Sequence, residues 1–109
     1  MRASLSPAAA QLLRSLLART GLGRDRVLIA AFRSVDWQSL TMIGERHELA
    51  LRIPGPLAAG IAERLCAGLA DAEFAIPGQI VADIAISEGP TRSNDGAVCL
   101  AIEALTICA

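Results

Sequence analysis

The sequence contains no lysine and no tyrosine, and its only aromatic residues are Phe32, Trp37 and Phe74. Ten basic and eleven acidic residues leave a formal charge of −1, and no basic run occurs. Nucleic-acid binding draws on phosphate neutralisation and often on aromatic stacking. Neither ingredient stands out, so nucleic acid is not an expected partner. No apolar stretch reaches the ~20 residues that a membrane-spanning helix needs; Arg14, Arg19, Glu63 and Arg64 interrupt the longest. The opening Met1–Ser4, with the Leu/Ala segment behind it, loosely imitates a signal or transit peptide. Arg14 breaks that run and an ordinary capped helix follows, so no processing is expected.

Phosphate loops and dinucleotide fingerprints are also missing, so no cofactor is expected. Three cysteines, Cys66, Cys99 and Cys108, form no C-x-x-C pair. An odd, scattered set argues against a disulfide framework and for a reducing, cytoplasmic setting. With a single histidine, His47, the chain offers no convincing metal-ligand set.

Apolar residues, by contrast, are abundant. Hydrophobic residues make up 53% of the 109 positions and charged residues 19%. That composition excludes a disordered chain. The length fits one domain, residues 1–109, burying roughly two-thirds of its unfolded surface. The apolar excess suggests a homo-oligomer that hides what one domain leaves exposed.

The apolar pattern divides the chain into six elements. Ser6 as cap and Pro7 in the first turn open a helix over 6–20, with Ala9, Leu12, Leu13, Leu16 and Leu17 on one stripe. Gly21 and Gly23 stop it. Residues 26–33 read as a short buried strand, and 34–39 as a connection. Residues 41–53 alternate: His47, Leu49, Leu51 and Ile53 point one way, and Arg46, Glu48, Ala50 and Arg52 the other. Pro56 opens a second helix, with Leu57, Ala58, Ile61, Leu65 and Leu69 as its stripe, ending before Asp71. Residues 79–86 form a strand with Ile80, Ala82, Ile84 and Ile86 inward and Val81 outward. A polar loop over 87–96 precedes a last strand, 97–107, with Val98, Leu100, Ile102 and Ala104 on one side.

The predicted class is α+β, in the order αββαββ: a four-stranded, mostly antiparallel sheet with two helices on one face. A cyclically permuted ferredoxin-like sheet satisfies this order, with the two hairpins meeting through the second and fourth strands.

His47 is the first candidate for chemistry. Glu45, two residues away on the same side of its strand, could orient the imidazole as a general base. No nucleophile is spaced to join them in the sequence. Arg52 or Arg92 is a candidate for holding an anionic substrate, and Asn94 and Asp95 in the polar loop are further ligand-binding candidates. Arg46, Glu48 and Glu103 on the outward sheet face, with Trp37 in its connection, are candidates for an interface between copies. Two functions compete. One is a non-enzymatic, homo-oligomeric binding or interaction module, favoured because no catalytic set assembles. The other is a small enzyme with His47 as base, at a protomer interface or beside the 87–96 loop.

Overall fold

The computed structural model describes residues 5–109; Met1–Ser4, the segment that imitates a targeting peptide, lie outside the described residues. Helix α1 (Pro7–Ala18) begins where the sequence places it: the Ser6 hydroxyl accepts the Ala9 N–H at 3.1 Å, and Pro7 occupies the first turn. A 3-10 turn (Gly21–Arg26) leads into β1 (Leu28–Gln38), which pairs antiparallel with β2 (Ile43–Ile53). Helix α2 (Ala58–Cys66) follows. It is shorter than the stripe suggests, because Ala67 turns extended and Gly68 adopts φ 59°, leaving Leu69 on a separate 3-10 turn. The second hairpin is β3 (Gln79–Arg92) with β4 (Val98–Cys108).

The sheet runs β1-β2-β4-β3, antiparallel throughout, so β2 and β4 are central and β1 and β3 are edges. This is the strand order of the permuted ferredoxin-like sheet. Leu12, Leu13 and Leu16 of α1 and Ile61, Ala62 and Leu65 of α2 meet Leu49, Leu51, Ile53, Leu100 and Ile102 in one core. Arg19 ties the helix ends together, donating to the carbonyls of Leu65 (3.1 Å) and Ala67.

Three details differ from the sequence reading. First, β1 is an edge strand that is mostly exposed, and it continues through 34–38, so Trp37 sits in a strand. Pairing with the full length of β2 supplies hydrogen bonds that the local pattern does not reveal. Second, most of the predicted 87–96 loop belongs to β3; Gly89 and Pro90 are tolerated because the strand is an irregular edge. Third, the β3 register shifts between Val81 and Asp83. The shift reverses the side-chain alternation, so Val81 packs on the core and Ile80 is 55% exposed.

At Gly44 the central strands leave no room for a side chain. A Cβ there would overlap the Thr106 carbonyl oxygen and crowd the Ile107 backbone. Gly44→Ala is therefore expected to destabilise the fold by about 1–3 kcal/mol. Gly60, in α2 with open space around it, should respond oppositely: Gly60→Ala should add about 0.5–1 kcal/mol. Denaturant-unfolding midpoints of the two variants check both signs.

Candidate functional site

The residues of β2 that face the helices are the odd-numbered ones, and at one end of that face the apolar row turns polar. Pairing aligns Asp36 with Glu45 and Ser34 with His47 across β1 and β2, and Glu45 with Thr106 across β2 and β4. Thr106 sits diagonally beside His47, because the residue directly opposite the histidine on β4 is Ala104. The start of α1 reaches this same corner, where the Ser6 hydroxyl donates to Glu45 Oε1 at 2.9 Å.

His47 is 0% exposed. Its Nδ1 lies 2.7 Å from Ser34 Oγ and its Nε2 2.8 Å from Thr106 Oγ1. A neutral imidazole has one donor and one acceptor, and a hydroxyl can serve either, so both ring nitrogens are satisfied without charge. Burial lowers the His47 pKa below its ordinary value, and the nearby Glu45 carboxylate opposes the shift. Glu45 does share His47's side of the strand. Its hydrogen bond goes to Ser6, however, and the ring is held by the two hydroxyls. A carboxylate at the start of α1 also suits the helix dipole.

Ser34 and Thr106 are the members that sequence reasoning missed. Ser34 falls in the stretch read as a connection, and only the hairpin register sets it against His47. Thr106 is 59 residues from His47; the even-numbered inward row of the last strand, continued past Ala104, was the available signal. Ser34 is half-buried and lines a cleft of about 510 Å³, with Leu5, Ser6, Pro7, Phe32, Arg33 and Glu45.

The four candidates for ligand binding do not form one site. Arg52 pairs with Asp95, and its Nη1 lies 3.9 Å from Cys99 Sγ. The Asp95 carboxyl is held down at about 2 by the Ser93 hydroxyl, then by the Ala97 N–H and Arg52. Arg92 lies instead beside α2, lining a cleft of about 290 Å³ with Glu63 and Pro90. Asn94 is exposed in the turn between β3 and β4.

The interface candidates do share a surface. Arg46, Glu48 and Trp37 alternate with the inward residues and so lie on the uncovered face, as does Glu103 opposite Glu48. The Arg33–Glu48 ion pair there, at 3.8 Å, is well exposed and contributes at most about 1 kcal/mol. Burial pushes the Cys66 thiol up, with Arg19 acting against the shift, which leaves that thiol a poor nucleophile. Among the described residues, no group of three His, Cys, Asp or Glu side chains is placed to hold a metal ion, and no helix is long and apolar enough to cross a membrane. No protein-family model matches the chain, and no curated protein matches it significantly in sequence.

The histidine corner has a consequence for stability. An unfolded histidine takes up a proton near 6.5, whereas folded His47 resists it. The unfolded state therefore binds more protons below that value, and the contribution of neutral His47 to stability is lost as pH falls through the folded pKa. Melting temperatures from about pH 8 down to about pH 5 should fall more steeply for the wild type than for His47→Gln, which has nothing to titrate there. Parallel curves for the two proteins would contradict this account.

Proposed function

We propose that the chain is a homo-oligomeric interaction module of the cytoplasm, forming a dimer through the uncovered face of its sheet. The segregation of charge on that face carries the reading. The β1–β2 half holds Arg46, Arg33 paired with Glu48, and Arg52 paired with Asp95 of the β3–β4 turn; the β4–β3 half turns Glu103, Asp83 and Glu88 outward and no arginine. A two-fold axis parallel to the strands lays the basic half of one copy over the acidic half of the other. The same interface meets itself on both sides, as a two-fold dimer requires.

The rest of the face suits close packing. One cross-sheet row reads Ala31, Ala50, Ala101, which leaves the middle of the face shallow. At one end Val35, Trp37 and Ile80 present apolar surface around the buried Leu105 and Ile107. Four strands of eleven or more residues, about 4.8 Å apart, offer roughly 700 Å² in projection. A standard interface takes about 800 Å² from each partner. The cytoplasmic setting rests on Cys66, Cys99 and Cys108, which are all free thiols.

Native mass spectrometry and sedimentation at high micromolar concentration should find a dimer. Arg46→Glu and Glu103→Arg should each shift it to monomer, and the double variant should restore it. A wild-type monomer at that concentration would remove the reading.

A further inference from the structure

We propose that Ser34 is a nucleophile, with its proton taken by His47, and that it accepts an acyl group from a small activated ester in a single turnover. This does not depend on the paired sheet faces, because Ser34 and His47 lie on the helix side of the sheet.

Three observations meet at this point. Ser34 Oγ is 2.7 Å from His47 Nδ1, within reach for direct proton transfer. Thr106 Oγ1, 2.8 Å from Nε2, can hold the proton of that nitrogen and leave Nδ1 as the acceptor. Ser34 also forms part of the wall of an open cleft of about 510 Å³, where Leu5, Pro7 and Phe32 offer apolar contact to an acyl group beside the polar Ser6, Arg33 and Glu45. The serine thus stands between a base that solvent does not reach and a space that a small molecule can enter.

The step balances without a further reactant. Ser34 Oγ bonds to the carbonyl carbon, the carbon–oxygen bond to the leaving group breaks, and an activated alcohol departs as its anion. The serine proton passes to His47 Nδ1, and the carboxylate of Glu45 offsets part of the burial penalty on the resulting imidazolium. Release of the acyl group would need His47 to activate water, and a ring with 0% exposure cannot meet one. The acyl-serine therefore persists.

The test uses p-nitrophenyl acetate on the full chain. The expected result is release of one equivalent of nitrophenolate per chain without steady turnover, and a gain of one acetyl group that peptide mass mapping places on Ser34. The chain has no lysine and no tyrosine to compete, and blocking the three thiols beforehand removes the cysteines. Ser34→Ala, a small change at a half-buried position of the edge strand, should abolish the burst. His47→Gln should slow it by about 100-fold or more, with circular dichroism checking that the variant folds. No burst from the wild type, acetyl on another residue, or an unchanged burst in Ser34→Ala would each overturn the proposal.

Discussion

The ladder between β2 and β4 is the constraint on which the other features rest. Ten consecutive residue pairs, from Gly44 with Ile107 to Ile53 with Val98, join the two hairpins into one sheet. Because side chains alternate along a strand, this single register decides what every position of both strands faces. It stacks Leu49 beside Ile102 and Leu51 beside Leu100 beneath the helices, and it turns Arg46, Glu48, Arg52 and Glu103 to the opposite side. A slip of one residue would bury charge and expose the core. Gly44 belongs to the same constraint, since the backbones close there to a separation that no side chain permits.

Two helices cannot cover four strands completely. They seal the middle of one face, over β2 and β4, and leave the flanks thinly covered. Ile29, on the helix side of the edge strand β1, remains substantially exposed, while Leu49, Leu51, Ile102 and Leu100 do not. The same geometry explains why a polar corner survives inside the sheet. Where α1 begins, its cap residue needs a partner and the apolar stripe has not yet started. Ser6, Glu45, Ser34, His47 and Thr106 occupy that corner and satisfy one another. No buried side-chain nitrogen or oxygen among the described residues is left without a hydrogen bond. A buried histidine is tolerable here because it is neutral and paired at both nitrogens.

Much of this architecture is legible in the residues one at a time. The stripe Leu12, Leu13, Leu16 and the cap Ser6 are local signals, and the alternation from His47 to Ile53 is strict enough to assign both faces of β2. Legibility fails where the signal is not local. The edge strand β1 carries mixed residues on both sides, so its second half looks like a connection until β2 is laid against it. In β3, the irregularity after Val81 reverses the alternation, and a strict period of two then assigns Ile80 and Val81 to the wrong faces. The candidate site is half legible for the same reason. His47 and Glu45 are neighbours in sequence and stand out together, whereas Ser34 and Thr106 reach His47 only through pairing.

The sequence by itself determined the class: the order of two helices and four strands, and the apolar side of the helices, of β2 and of β4. Those properties follow from short-range periodicity, capping and turn chemistry, all contained within a few residues. Tertiary structure alone decided which hydroxyls hold His47, that Arg52 is spent on Asp95, and that basic and acidic residues fall on opposite halves of one face. These depend on the register and order of strands distant in the chain. Local patterns cannot encode such pairings, because the same alternation is compatible with several registers until the core is packed.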